Sequence, residues 1–277
     1  MLLDRTALLQ LYLETKERVM QQKVRNILID INGCLQGPTP VELHEALPEL
    51  WRLIQLTNGG SFLIGACSGR ELPYVRGVLH LLGSPNGWSI YESGLGIFHV
   101  QSETWIENLR ITTEVRQVFQ QELSARVKRI LARYPGMVRP YKGNELHIAL
   151  EMTTKATFSV EQFAERVQEE LQDLLNQGLV VLHHSTDTVD LTTPGIDKGA
   201  GVLQVQDVTG IPKEETLGIG DTNGDIPMLS LVGFVGCPAN SSASCKALVE
   251  SKGGFVSQYS HAKGVVDCIN HFLEAAT

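Results

Sequence analysis

The chain has 277 residues, 43% of them apolar, and a formal net charge of −8. That is enough apolar material for one large core or two modest ones. The acidic balance excludes a general affinity for nucleic acid or for an anionic membrane surface, so an anionic substrate needs a local positive site such as a bound metal. Cys34, Cys67, Cys237, Cys245 and Cys268 show no CxxC spacing. Their odd number and apolar surroundings point to reduced thiols and a cytoplasmic setting. Asp4, Arg5, Glu14, Lys16, Glu17 and Arg18 argue against a signal peptide, and no apolar run approaches the ~20 residues that span a bilayer.

Residues 2–22 place Leu2, Leu9, Leu13 and Val19 at near-helical spacing, which predicts an amphipathic helix. "VRNILID" then reads as a strand buried on both faces, followed by a helix from Val41 to Thr57 that ends at "NGG". "SFLIGACSGR" repeats the pattern as strand, small-residue turn at Ser68-Gly69, and helix over Leu72–Leu82, and "WSIYESG" gives a further short strand. Residues 96–187 read differently. They contain a long polar helix (Thr112–Tyr134), an alternating strand in "NELHIALEM", a second helix (Val160–Gln177), and the strands "LVVLHH" and "TVDLTT". From Lys198 the parallel rhythm resumes, with "TLGIGD", "GFVGCPAN" and "GGFVSQ" as strands between helices.

The pattern predicts an α/β protein with a Rossmann-like parallel-sheet core. The core is built from residues 1–95 (1–22 being the N-terminal helix) and 188–277, and 96–187 form an inserted α+β domain with one open sheet face. In such sheets ligands bind beyond the carboxyl ends of the strands. Three predicted strand ends carry chemistry: Asp30, Ser68 and Asp221. Asp225 lies four residues beyond Asp221 at the start of a helix, so both carboxylates can turn to one side. Hard oxygen ligands of this kind suit Mg²⁺, although acids at a helix start also simply favour the helix dipole. Lys198 in "DKGAG" can pair with these acids, and is otherwise an ordinary surface lysine. Ser68, with the backbone N–H of Gly69, can receive an anion, and is otherwise a good N-cap.

Taken together, "DINGCL", "CSGR", "DKG" and "GDTNGDIPML" resemble, in order and spacing, the four loops of the haloacid dehalogenase-like superfamily of phosphohydrolases. "YESGLGIF" is similar to the stretch that leads into that family's cap, and "GCPANS" to the segment after its last motif. A large α/β cap between the serine and lysine loops resembles the branch of phosphoglycolate and sugar-phosphate phosphatases. The resemblance implies Asp30 as a nucleophile that becomes an aspartyl-phosphate. It implies Mg²⁺ held by Asp30, the backbone carbonyl of Asn32 and Asp221, with Asp225 close by. Ser68, Gly69, Lys198 and Asn240 would contact the phosphoryl group. The implied partner is a small phosphorylated metabolite, with no nucleic acid or membrane; assembly as monomer or homodimer stays open.

The first loop departs from the family pattern. Asn32 stands where the family has a second Asp, which protonates the leaving oxygen and later deprotonates water. An amide does neither at neutral pH, and such help is typically worth ~10²–10⁴-fold. Cys34 replaces a Thr, Ser93 an Asn, and Gly224 an Asn. Three readings follow: a Mg²⁺-dependent phosphatase with weakened acid–base chemistry, a non-hydrolytic phosphate-ligand sensor, or a scaffold that keeps only the fold. The survival of Asp30, Asp221, Asp225 and Lys198 together favours the first. Candidate substrate contacts in the cap are Arg139, Lys142, Glu145 and His147, with His183, His184 and Thr186 nearer the return to the core. Hinges are expected near Gly94–Gly96 and Asp190–Gly195.

Overall fold

The computed structural model describes residues 24–57, 62–185 and 187–274. The helix expected over residues 2–22 and Thr186 lie outside them. β1 (Asn26–Ile29) is buried at all four positions, as a strand covered on both faces must be. α1 (Pro40–Thr57) turns Ala46, Leu50, Leu53 and Ile54 inward. β2 (Leu63–Ala66), α2 (Leu72–Leu81) and β3 (Trp88–Tyr91) follow. β3 then doubles back through β4 (Gly96–His99) and β5 (Thr104–Glu107) as an antiparallel arm in which β4 pairs with β3 and β5 with β4, so residues 96–107 extend from β3 rather than joining the sheet of the inserted unit. The arm sits beside β2, joined by a bridge between Cys67 and Ile90.

The long helix expected over Thr112–Tyr134 is present as α3 (Thr113–Gln117) and α4 (Ser124–Arg133), joined by a wider π-helical turn at Val118–Leu123. Thr112 caps it by accepting from Val115 N at 3.4 Å. β6 (Val138–Pro140), β7 (Ile148–Met152), α5 (Val160–Glu170), α6 (Gln172–Asn176), β8 (Val181–His184) and β9 (Thr188–Thr192) complete this unit. Its antiparallel sheet runs β6-β7-β9-β8. In β9, Val189 and Leu191 are buried with Phe119, Phe163 and Val167, while Thr188, Asp190 and Thr192 alternate onto the other face. The strand expected to begin at Asn144 begins only at Ile148. The preceding backbone N–H groups of Leu146 and His147 are instead taken by the carboxylate of Glu92.

The chain returns through α7 (Lys198–Thr209), β10 (Thr216–Ile219), α8 (Ile226–Leu231), β11 (Phe234–Cys237), α9 (Ala243–Ser251), β12 (Phe255–Val256) and α10 (His261–Glu274). The core sheet is parallel throughout, in the order β12-β11-β10-β1-β2. From β1 the chain moves outward to β2, and from β10 it moves the opposite way, which leaves a crevice at the carboxyl ends of these central strands. Ile29 is in register with both Ile219 and Ala66, so Asp30, Asp221 and Ser68 emerge on the same rim. All five cysteines are buried and unpaired. Among the described residues no helix is long and apolar enough to cross a membrane.

Candidate active site

The segment after β1 folds tightly on itself. Gln36 N donates to Ile31 O at 2.7 Å, and Gly33 N donates to Gln36 O at 2.8 Å. Gly33 has φ +88, a left-handed conformation that favours glycine. Space demands glycine there as well: a Cβ would lie 2.1 Å from Asp221 Oδ2. The Asp221 carboxylate thus rests directly on the backbone of the Asp30 loop. From the far end of the chain, Asn240 Nδ2 and His261 Nδ1 both sit 2.9 Å from the Gly33 carbonyl.

Lys198 is the first residue of α7, whose start is fixed by Asp197, which accepts from Ala200 N at 2.8 Å. Small residues let this helix approach the core closely; a Cβ on Gly201 would meet Ile90 at 2.5 Å. The buried Lys198 ammonium consequently reaches Asp30 Oδ1 and Asp225 Oδ1, each at 2.6 Å. Asp225 is 0% exposed and serves two purposes. One oxygen binds Lys198, while the other accepts from Asp221 N at 2.9 Å and Thr222 N at 3.0 Å, which pins the acidic loop.

With all four groups ionised, the three carboxylates and one ammonium would sum to −2 in a buried setting, which favours uptake of a proton or of a cation. Burial, reinforced by Asp225 and Asp221 and opposed by Lys198, pushes the Asp30 carboxyl up to about 8. Burial and then Asp225 push Asp221 up to about 6. For Lys198 burial disfavours the charge, but Asp225 and Asp30 outweigh it and hold the ammonium well above its ordinary range. A divalent cation would bring the sum to zero. Asp30, Cys34 and Asp221 each offer a ligand atom, all within 4.8 Å of one another. The carboxylate oxygens are donors that suit Mg²⁺. Cys34 Sγ donates to Asp221 Oδ1 at 3.8 Å. The residues therefore fit a divalent ion held by Asp30 and Asp221. Asp225, with both oxygens engaged, stands behind them and is outside that mutually close group.

Asn32 is held apart from the cluster's hydrogen bonds. Its side-chain oxygen accepts from Arg70 Nε at 3.2 Å, and its amide nitrogen donates to Gln36 Oε1 at 3.2 Å and Tyr74 Oη at 3.4 Å. Ser68 is fully buried at the end of β2, where its hydroxyl oxygen accepts from Arg70 N at 3.2 Å. Arg70 in turn stacks on the cap residue Tyr141, 4.0 Å from the ring centroid.

The segment 141–147 lies directly on this turn. Asn144 Nδ2 donates to the Gly69 carbonyl at 3.1 Å, and Tyr141 Oη donates to Glu71 Oε2 at 2.8 Å. His147 also lies close to Gly69, since a Cβ there would be 3.9 Å from His147 Cε1. Tyr141, Asn144 and Arg70 were not singled out from the sequence; they stand beside residues that were, within "RPYKGNELH" and "CSGR". Arg139 points elsewhere, pairing with Glu151 on the neighbouring strand at 2.8 Å. Lys142, His183 and His184 are exposed, and Glu145 pairs with Arg116. Asn240, expected to contact the phosphoryl group, is exposed and its amide donates to the Gly33 carbonyl of the Asp30 loop. Glu92 and Ser93 both have positive φ, at 46 and 54, in the turn between β3 and β4. Burial pushes the Glu92 carboxyl up to about 7, against the backbone N–H groups it accepts from.

A family model described as haloacid dehalogenase-like hydrolase matches residues 133–269. A phosphoglycolate phosphatase of Thermoplasma volcanium is 36% identical over 96 residues, 35% of this chain and 41% of that protein. The chain's match therefore spans well under half the length of that relative. A phosphoglycolate phosphatase of Methanopyrus kandleri is 26% identical over 90% of this chain and 97% of its own. Among solved structures, the sucrose-phosphatase of Synechocystis, determined with sucrose and phosphate, superposes with a TM-score of 0.62 at 19% identity, covering 90% of this chain and 98% of that one. With a parallel core, an inserted cap and four loops that meet at one rim, the chain has the fold of the haloacid dehalogenase-like hydrolases, whose family model it matches over residues 133–269.

Proposed function

We propose that the protein is a Mg²⁺-dependent phosphoric monoester hydrolase acting on a small phosphorylated metabolite of the sugar-phosphate class. The observation that carries this reading is the position of Lys198, 2.6 Å from both Asp30 and Asp225 and at the same sheet rim as Asp221 and Ser68. Asp30 would be the nucleophile. Lys198 holds it in place and keeps a positive charge where phosphoryl oxygens arrive. Asp30 and Asp221, with the Asn32 carbonyl, would hold the metal, which when bound supplies positive charge to the phosphoryl oxygens. Asp225 positions Lys198 and the acidic loop. Ser68 and the backbone of Gly69 would receive a phosphoryl oxygen. The cap would open and close about the segments 108–112 and 193–197, which lie outside its sheet, and closure would exclude water from the site.

A second reading rests on Asn32, whose amide is committed to Arg70, Gln36 and Tyr74 and carries no exchangeable acid. In that reading the protein binds a phosphorylated ligand, or stalls as an aspartyl-phosphate, without turnover. Phosphate release from an aryl or acyl phosphate separates the two. Hydrolysis that needs Mg²⁺ and disappears in Asp30→Ala supports the enzyme. No turnover on any activated ester at high protein concentration selects the binding protein.

A further inference from the structure

The first loop lacks its proton donor, yet an imidazole from the cap stands over the phosphate turn. Three observations converge on His147. Its Nε2 lies 2.8 Å from Asp190 Oδ1, so an ionised Asp190 keeps the proton on Nε2 and fixes the ring's orientation. Its other nitrogen, Nδ1, is buried and has no hydrogen-bond partner. Buried polar atoms are nearly always satisfied, and an orphan one calls for a partner that the protein alone does not supply. Finally, the ring borders Gly69, the turn that would receive the phosphoryl group. The neighbouring Asn144 Oδ1 is likewise buried and unpartnered. The backbone at His147 is set by Glu92 of the core, which accepts from the N–H groups of Leu146 and His147. A base oriented by a carboxylate, with its second nitrogen unpartnered and its ring against the turn that would receive the phosphoryl group, has the parts of a general acid–base arrangement.

We propose that His147, oriented by Asp190, is the proton-transfer residue of this site and takes the role that Asn32 cannot fill. This rests on the phosphatase reading. In the first step an Asp30 oxygen attacks phosphorus and the bond from phosphorus to the leaving oxygen breaks. That oxygen takes the electron pair and the Nδ1 proton of the imidazolium, and departs as an alcohol. In the second step water attacks the phosphorus of the aspartyl-phosphate and gives its proton to the neutral Nδ1. The bond to the Asp30 oxygen breaks, releasing inorganic phosphate and restoring the carboxylate and the imidazolium. In the described closure Nδ1 is packed against protein, so the leaving group enters with the cap parted and meets His147 as it returns.

Leaving-group dependence tests this. An aryl phosphate such as 4-nitrophenyl phosphate expels its oxygen without a proton; an alkyl phosphate such as 2-phosphoglycolate or a hexose phosphate does not. In His147→Gln, kcat on the alkyl ester relative to the aryl ester is expected to fall ~10²-fold or more. Asp190→Asn should lower the same ratio less steeply. Adding Asn32→Asp to His147→Gln should restore alkyl turnover by at least about tenfold, because a carboxyl on the first loop supplies the proton instead. An equal loss on both esters, or a loss seen only in KM, would overturn the proposal, since a structural or binding role predicts that. Failure of Asn32→Asp to rescue would also overturn it. If wild-type protein releases no phosphate from the aryl ester, the phosphatase reading itself fails, and the proposal with it.

Discussion

Asn32 and Arg70 are joined across the mouth of the site, the side-chain oxygen of one accepting from Nε of the other at 3.2 Å. With Tyr74 and Gln36 on its amide nitrogen, Asn32 links the first loop to the Ser68-Gly69-Arg70 turn and, through Arg70, to Tyr141 of the cap. Asn32→Ala should therefore loosen this junction, with a loss of about 1 kcal/mol for part-buried hydrogen bonds. Urea unfolding measures it; an unchanged midpoint would show that the network contributes nothing to stability.

Lys198 offers the largest expected effect. Its removal leaves Asp30 and Asp225 buried without their cation. Breaking a buried pair on one side typically destabilises by about 3–5 kcal/mol, and Lys198→Ala should do so in metal-free protein. Mg²⁺ should then raise the thermal midpoint of the variant more than that of the wild type, because the ion replaces part of the missing charge. Equal shifts in the two proteins would contradict a metal at Asp30 and Asp221.

Gly33→Ala adds a single methyl group at a position where it would meet the Asp221 carboxylate at 2.1 Å and where φ is +88. Asp221 must move or the loop must deform. Calorimetric titration with Mg²⁺ should show affinity falling by about tenfold or more, equivalent to ~1.4 kcal/mol of lost ligand geometry. Binding at wild-type strength would remove Asp221 from the ligand set.

Glu92 predicts a pH dependence. Its ordinary value of 4.5 is raised to about 7 by burial. The folded state therefore holds a proton that the unfolded state has lost, and this contribution to stability is complete below 4.5 and disappears as pH rises through about 7. Moving one carboxyl over that interval corresponds to about 3 kcal/mol. Thermal midpoints should fall from pH 5 to pH 7.5 in the wild type, and Glu92→Gln, which keeps an acceptor for the cap N–H groups, should fall less. Parallel curves would assign the slope to other groups.

Much of the site was legible because its residues sit directly after buried strands. Asp30 follows "NILI", Asp221 follows "TLGI" by two positions, and an apolar run ending in an acid announces itself. Lys198 by itself read as an ordinary surface lysine and was singled out only because "DKG" stands in order with the other three loops; the structure adds that the glycines after it let its helix press closely on Ile90. What stayed hidden depends on contacts across long sequence separations. Nothing local in "YESG" says that its glutamate takes two N–H groups 54 and 55 residues away and so delays the start of β7. Asp190 read as part of a hinge, whereas alternation within β9 turns it to the open face of the cap sheet and to His147. The arm of β4 and β5 was hidden for a similar reason: two short strands say little about whether they pair backward with β3 or forward with the cap.

The Gly33 carbonyl has a further consequence, set by the order in which the chain is made. Its two side-chain donors, Asn240 and His261, lie 207 and 228 residues downstream. During synthesis the Asp30 loop emerges early, but its pair of braces is complete only when the helix that starts at His261 begins. β1 itself waits for its neighbour β10, and a chain that ends before residue 240 lacks both anchors for the loop after Asp30.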